Sequence, residues 1–262
     1  MKSSYSQTEL DAITSAVAPR QGWNFSRMSD LRAPVPWDYR DVVADHLNSD
    51  VDLLDIGTGG GEMLLSFAPH IRSALGIDVD PLMVATATEN GRHVSNVSFR
   101  HSSHLLERVP ESFAVVLSRH APFSLHHLAS NLRPDGYFIT QQVGERNMAN
   151  VKAALGQSIP SVPLSRAMFS RAGLALVDFR EYDVEYVVKD VESLVFWLGA
   201  LDYLHADVEG AAALADADAF NGILRGNVSA EGFVTNEHRY VAVAQMHEAS
   251  VSSGRPCARA RR

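Results

Sequence analysis

Apolar and polar positions alternate in blocks through most of the chain, and this pattern predicts strands and helices in turn. The predicted strands are 51–56, 75–78, 97–100, 113–117, 137–142, 174–182 and 238–245. The predicted helices are 38–47, 61–68, 126–132, 165–172, 191–204 and one that begins at Asp80-Pro81. Repeated strand–helix alternation with short links predicts an α/β fold, a doubly wound, mostly parallel sheet of seven strands with helices on both faces.

The remaining segments predict additions to one main domain, 37–248. Residues 1–36 combine an apolar helical stripe with aromatic residues, and Pro34 and Pro36 mark irregular chain, so we expect an N-terminal helical and aromatic flap. The link 183–236 is too long for a hairpin and predicts a helical insertion or lid. The basic, small-residue end 249–262 is expected to be a disordered tail.

Composition narrows the classes of partner. The formal net charge of −8 argues against broad binding to a phosphate backbone and favours a small-molecule partner over nucleic acid. Cys257 is the single cysteine, so no disulfide can form within the chain. The chain shows no apolar signal core and no apolar run of membrane-spanning length, which predicts a cytoplasmic protein without a membrane partner.

A glycine-rich turn follows directly behind the first predicted strand, from Gly57 to Gly61. Glycine permits left-handed backbone and carries no side chain, so such a turn lets the backbone approach a cofactor closely. Asp78 ends the next strand about 20 residues later, where dinucleotide-type folds place a ribose-binding carboxylate. The pair predicts a cofactor site at the ends of the first two strands.

Four segments resemble, in order and spacing, the motifs of class I S-adenosylmethionine-dependent methyltransferases: DIGTGGG (55–61), GID (76–78), FAVVLSR (113–119) and LRPDGYF (132–138). The resemblance covers about residues 37–142, and the flanks 22–28, 141–144 and 238–240 look like a poorly characterised bacterial subfamily. It implies a Rossmann-like fold, S-adenosylmethionine as cofactor and methyl transfer to an acceptor. We expect a small-molecule acceptor, in bacterial secondary metabolism.

The resemblance also implies roles for individual residues. Asp78 would bind both ribose hydroxyls, Val79 would pack beside adenine, and Asp55 would line the cofactor or pair with backbone amides of the turn as a structural carboxylate. Tyr39 lies on the proline-stiffened segment before the motifs, and its position indicates either a cover over the methionine end or packing in the core. Where the family often has an acidic residue that reads adenine, this chain offers Ser102 and Ser103. The implied cofactor-binding set is Asp55, Gly57, Thr58, Gly59, Gly61, Asp78, Val79, Ser102, Ser103 and Tyr39.

Acceptor-side candidates lie near strand ends, since ligands of open α/β sheets bind beyond the C-terminal ends of the strands. His120 is the candidate general base, because imidazole titrates near neutral pH, and a structural or orienting histidine is the alternative. Arg119 and Gln142 are the substrate candidates at strand ends. Trp23 and Arg27 of the N-terminal flap and Trp197 of the insertion helix are further substrate candidates, with packing in the core as the alternative for all three. The histidines lack metal-ligand spacing, so no metal is expected.

Other functions remain open at this point. An RNA methyltransferase would need a basic face, and a non-catalytic protein could bind the same cofactor. A nicotinamide-dependent dehydrogenase shares the glycine turn but usually has the spacing Gly-x-Gly-x-x-Gly, which differs from the turn here. The acceptor, the methylated atom and the oligomeric state are not indicated by the sequence.

Overall fold

The computed structural model describes residues 1–17, 26–105, 109–157, 166–204 and 213–246. The helices are α1 Gln7–Ala16, α2 Tyr39–Ala44, α3 Glu62–Phe67, α4 Pro81–Asn90, α5 Leu125–Asn131, α6 Ala149–Ala154, α7 Arg166–Arg171, α8 Val191–Leu204 and α9 Ala217–Leu224, and Ala68–His70 forms a 3-10 turn. The strands are β1 Asp30–Arg32, β2 Asp52–Ile56, β3 Ser73–Asp78, β4 Val97–His101, β5 Phe113–Arg119, β6 Leu132–Val143, β7 Leu174–Val188 and β8 Phe233–Met246.

The strands form one sheet in the order β1-β7-β8-β6-β5-β2-β3-β4. Strands β4, β3, β2, β5 and β6 pair in parallel, whereas β1 pairs antiparallel with β7. The predicted α/β class is confirmed, but within the described ranges the sheet has eight strands rather than seven. The additional strand is β1, and its three residues are too few for a period-two pattern to be recognised in the sequence.

Strand register brings the C-terminal ends of the central strands together. Asp55 on β2 lies beside Gly76 on β3 and Leu117 on β5. Asp78, the last residue of β3, lies beside His101 of β4. Because parallel strands end at the same edge of a sheet, the glycine turn and Asp78 are neighbours in space although they are far apart in sequence.

The chain divides into two compact units, each with its own core. The first comprises Met1–Asp38, Gln142–Pro163 and Arg180–Val241, and the second comprises Tyr39–Gln141, Leu164–Phe179 and Ala242–Arg262. In the second unit the core gathers Leu54, Ile77, Val116, Phe138 and Phe169. In the first unit, Leu10 of α1 packs with Leu198 of α8 and Phe220 of α9. The domain bounds given by the sequence remain a prediction.

Two strands are longer than the sequence pattern indicated. Strand β7 continues past residue 182 to Val188, so the start of the expected helical insertion is strand. Tyr182, Tyr186 and Val188 are buried, while the intervening Asp183 and Glu185 are exposed. Asp183 and Glu185 face solvent, and in the sequence alone their charges suggest that the strand ends before them. Strand β8 likewise begins at Phe233, before residue 238. The expected tail, 249–262, lies outside the described residues.

Candidate functional site

The glycine turn after β2 is held by backbone bonds and by close packing. Gly57, Gly59 and Gly61 have φ values of 76°, 57° and 79°, in the left-handed region that favours glycine. The amides of Gly57 and Thr58 donate to the Ile77 carbonyl at 2.9 and 3.0 Å. A Cβ at position 57 would overlap the side chain of Ala121, but one at position 59 would meet no described atom within 4 Å beyond its chain neighbours. The turn is therefore closely packed against Ala121 at Gly57, whereas the space beside Gly59 is open.

Asp78 faces this turn. Its Oδ2 accepts the Gly59 amide hydrogen at 2.9 Å, and its Oδ1 accepts from Asp80 at 3.0 Å. The N-cap of α4 is Asp80, which accepts from the Leu82 amide, so Asp78 is not needed as a helix cap. A carboxylate offers about four acceptor sites, and these two bonds leave capacity for two hydroxyl donors.

Asp55 is a second buried carboxyl at the same edge, 6% exposed. Burial raises its pKa to about 6, and the charge of Asp78 adds to the rise, while the Thr58 hydroxyl and Arg119 oppose it. Thr58 Oγ1 lies buried without meeting hydrogen-bond geometry with any described residue. A carboxyl with a raised pKa beside a second carboxylate is typical of functional sites.

Tyr39 and Arg119 complete this polar group. The Tyr39 hydroxyl donates to the Ile139 carbonyl at 3.2 Å, and the Arg119 guanidinium carbon lies 5.5 Å from the centre of the Tyr39 ring. Burial raises the pKa of Tyr39 well above its usual value, Asp55 adds to the rise and Arg119 opposes it. The Tyr39 phenol is therefore neutral, and its hydrogen bond to Ile139 fixes its orientation.

Val79 and the end of β4 form the other side of the turn. Val79 is 45% exposed, and its carbonyl lies 3.1 Å from Nε2 of His101. The Ser102 amide donates to the Asp78 carbonyl at 2.9 Å, whereas the Ser102 hydroxyl donates to the His104 carbonyl at 3.1 Å. Ser103 is exposed. His101 was not among the sequence candidates, although its place at a strand end could have indicated it.

His120 lies in the turn after β5, next to the Ala121 that packs on Gly57. Its φ of 56° is unusual for a residue with a side chain. Its amide donates to the Gln141 carbonyl at 2.9 Å, and its Nε2 lies 3.1 Å from the side-chain nitrogen of Gln141. Gln141 is 3% exposed. Sequence reasoning chose Gln142 instead, since alternation along a strand lets only one of the two face a site.

Three other acceptor candidates, Arg27, Gln142 and Trp197, belong to the first unit. The Arg27 guanidinium carbon lies 4.9 Å from the centre of the Phe196 ring, and Trp197 packs edge-to-face on Tyr186 at 5.2 Å. Gln142 is half-buried. Trp23 lies outside the described residues. Each of these assignments stays a prediction.

A cavity of about 490 Å³ lies elsewhere in the second unit, lined by Ala44, Leu47, Asn48, Ser49, Phe67, Pro69, His70 and Ile71. These residues precede β2 and β3, so they lie at the N-terminal ends of the strands whose C-terminal ends carry Gly59 and Asp78. Ligands of open α/β sheets bind at C-terminal ends, which separates this cavity from the candidate site. Within the described ranges, no group of three His, Cys, Asp or Glu side chains could hold a metal ion.

A family model described as "Methyltransferase domain" matches residues 53–136. About a third of the chain thus matches a methyltransferase domain. The matched segment runs from β2 into β6 and includes the glycine turn, Asp78 and His120, so the resemblance found in the sequence is confirmed. None of the helices in the described ranges has the length and apolar character of a membrane span.

Proteins that are similar to this chain share its fold. The uncharacterized methyltransferase YcgJ of Bacillus subtilis (strain 168) is 29% identical over 99 residues, which cover 33% of this chain and 38% of YcgJ. The matched sequence thus spans less than two fifths of that curated relative. The crystal structure of YcgJ superposes with a TM-score of 0.57 at 19% identity, covering 80% of this chain and 98% of that one. A methyltransferase from Geobacter sulfurreducens, solved in complex with S-adenosyl-L-homocysteine, gives 0.51 at 19% identity, covering 93% and 99%.

Proposed function

We propose that the protein transfers the methyl group of S-adenosylmethionine to a small-molecule acceptor of the kind modified in secondary metabolism. The observation that carries this proposal is the pairing of Gly59 with Asp78. The Gly59 amide nitrogen lies 2.9 Å from Oδ2 of Asp78, at the strand ends where such folds bind ligands. The space beside Gly59 is open, and the Asp78 carboxylate can accept further hydrogen bonds.

The described residues fit this cofactor. Asp78 would accept the ribose hydroxyls, and the open space at Gly59 would admit the cofactor chain against the backbone. Val79 would offer an apolar surface to adenine, with Ser102 and Ser103 near its edge. Asp55, Gly57, Thr58, Gly61 and Tyr39 would shape the remaining wall. The Geobacter structure noted above was solved with the demethylated cofactor, which supports the choice.

When bound, the cofactor supplies a methyl group already activated by its sulfonium. The protein then has to align the acceptor and exclude water, and positioning alone can supply much of the rate. Arg119 is the last residue of β5 and His120 follows it at the same C-terminal end, so we assign both to the acceptor. Arg119 would bind an anionic group of the acceptor. An imidazole such as His120 can either take a proton from the acceptor or donate a hydrogen bond to it.

The choice of a small molecule rests on charge. A formal charge of −8 opposes the phosphate backbone that an RNA methyltransferase must hold. We also propose a cytoplasmic location, where S-adenosylmethionine is made and used. The oligomeric state stays open.

Isothermal titration tests the cofactor. S-adenosylhomocysteine should bind saturably and NAD should not, and the reverse result would contradict the proposal. Mass spectrometry of ligands that co-purify with the protein would then identify the acceptor. Saturable binding without turnover on any acceptor would instead indicate a non-catalytic cofactor-binding protein.

A further inference from the structure

Gln141 and His120 are paired through both backbone and side chain. Gln141 lies beside Arg119 in the parallel register of β5 and β6, and its carbonyl accepts the His120 amide hydrogen at 2.9 Å. The two side-chain nitrogens, Nε2 of Gln141 and Nε2 of His120, lie 3.1 Å apart. Since Gln141 is 3% exposed, solvent does not compete strongly for its amide.

The turn that carries His120 is fixed by further bonds. The Ser118 hydroxyl donates to the Ala121 carbonyl at 3.0 Å, and the Thr140 hydroxyl donates to the Ser118 carbonyl at 2.7 Å. These bonds and the His120 amide bond hold its left-handed backbone. Non-glycine residues in that conformation cluster at functional sites, where the surrounding structure compensates for the strain.

The chemistry of the pair determines where the imidazole proton lies. An amide nitrogen only donates hydrogen bonds, so Nε2 of His120 must be the acceptor in this contact. A neutral imidazole carries one proton and one ring lone pair. With the lone pair of Nε2 engaged by Gln141, the proton of the neutral ring is on Nδ1.

We propose that Gln141 is a positioning residue that holds neutral His120 in the Nδ1–H form, so that the ring serves the acceptor as a hydrogen-bond donor and not as a base. The inference rests on the proposed function, because it assumes that His120 serves an acceptor. It also restricts the substrate class. The methylated group must react without giving a proton to His120, and it must present an oxygen or nitrogen lone pair to the ring.

Histidine nitrogen NMR on the full chain tests the proton position directly. Protein with ¹⁵N-labelled imidazoles is recorded at neutral pH, and the His120→Gln variant identifies the His120 signals among the eleven histidines. The wild-type protein should show a protonated Nδ1 and an unprotonated Nε2. A protonated Nε2 in the wild-type protein would overturn the proposal.

Two substitutions at Gln141 sharpen the test. Gln141→Glu replaces the donor with a carboxylate that can only accept, so the proton should move to Nε2 and the pattern should reverse. Gln141→Met keeps the length without a polar group, so both forms should be populated. If both variants fold and keep the wild-type pattern, Gln141 does not set the tautomer.

The control is Gln245→Glu, which adds the same charge in the same unit. The Gln245 amide contacts the Asp135 carbonyl at 3.3 Å, and its change should leave the His120 signals unmoved. The NMR experiment uses neither cofactor nor acceptor. A failed titration with S-adenosylhomocysteine would therefore reject the proposed function without changing the proton assignment, and the two failures are distinguishable.

Discussion

Asp52 and Asp55 lie three residues apart on the central strand β2, Asp52 at its N-terminal end and Asp55 towards its C-terminal end. The environments of their two carboxyl groups are opposite. At the N-terminal edge, Asp52 is bound by the guanidinium groups of Arg72 and Arg133 and by the Ser73 hydroxyl. These partners hold its pKa well below the usual range, the Arg72 hydrogen bond most strongly. At the C-terminal edge, burial and Asp78 instead raise the pKa of Asp55 to about 6.

The difference separates a carboxylate that stabilises the fold from one that costs stability. Cationic partners favour the charged form of Asp52, so folding gains from its ionisation. Asp55 loses hydration on folding and lies near a second negative charge, so folding is opposed by its ionisation. A fold keeps such a cost where a site needs it, and this cost falls beside the open glycine turn.

The largest effect that tests this contrast is expected from Asp55→Asn. The folded pKa of Asp55, about 6, lies above its usual value of 3.8, so the wild-type protein loses stability as pH rises from about 4 to about 6. Above pH 6 the cost is complete, at about 3 kcal/mol. Asparagine carries no charge, so Asp55→Asn should raise the free energy of unfolding by up to that amount at pH 7.5. Urea titrations at several pH values measure it.

The pH dependence is the sharper readout for Asp55. The difference between variant and wild type should shrink as pH falls and approach zero below about pH 3, because wild-type Asp55 is then protonated in both the folded and the unfolded state. Asp45→Asn removes a charge from an exposed carboxylate in the same unit and serves as the control. A difference that is independent of pH would show that packing, and not ionisation, determines the effect of the substitution.

Asp78→Asn tests the partner carboxylate through cofactor binding. The substitution keeps the shape but removes the charge that we assign to the ribose hydroxyls, and hydrogen bonds to charged groups contribute about 2 kcal/mol. The Kd for S-adenosylhomocysteine should rise roughly 30-fold, as measured by calorimetry. Asp80→Asn is the matched control, because asparagine caps a helix as well as aspartate does. Equal affinities for wild type and Asp78→Asn would remove the ribose assignment.

The candidate cofactor site at the C-terminal ends of β2 and β3 could be predicted from the sequence, because each of its motifs lies within a short segment. The glycine turn and Asp78 each follow an apolar strand, and the parallel arrangement brings the strand ends together. The pairing of His120 with Gln141 could not be predicted in this way, since it depends on the register of β5 against β6. The three residues of β1 join the sheet through β7, far away in sequence, and show no pattern of their own.

Gly59→Ala tests whether the open side of the turn receives the cofactor. The new Cβ would meet no described protein atom within 4 Å beyond its chain neighbours, so the fold should lose only about 1 kcal/mol for the left-handed backbone. The methyl group would enter the space that we assign to the cofactor, and the Kd for S-adenosylhomocysteine should rise roughly tenfold.

The control for Gly59 is Gly222 in α9, where a Cβ also meets nothing within 4 Å among the described atoms. Gly222→Ala should stabilise that helix by about 1 kcal/mol and leave the Kd unchanged. Loss of stability without loss of affinity in Gly59→Ala would mean that the cofactor does not approach the turn.

Asp52→Asn gives the smallest change and completes the comparison at the other end of β2. The side chains of Arg72 and Arg133 are 50% and 41% exposed, so solvent screens their attraction and the loss should be about 1 kcal/mol at neutral pH. Because the folded pKa is lowered, the wild-type stabilisation is present above pH 4 and disappears as pH falls further. The deficit of Asp52→Asn should therefore fade in acid, just as the gain of Asp55→Asn does, but with opposite sign. If Asp52→Asn and Asp55→Asn changed the free energy of unfolding in the same direction at pH 7.5, the proposed difference between the two ends of β2 would be wrong.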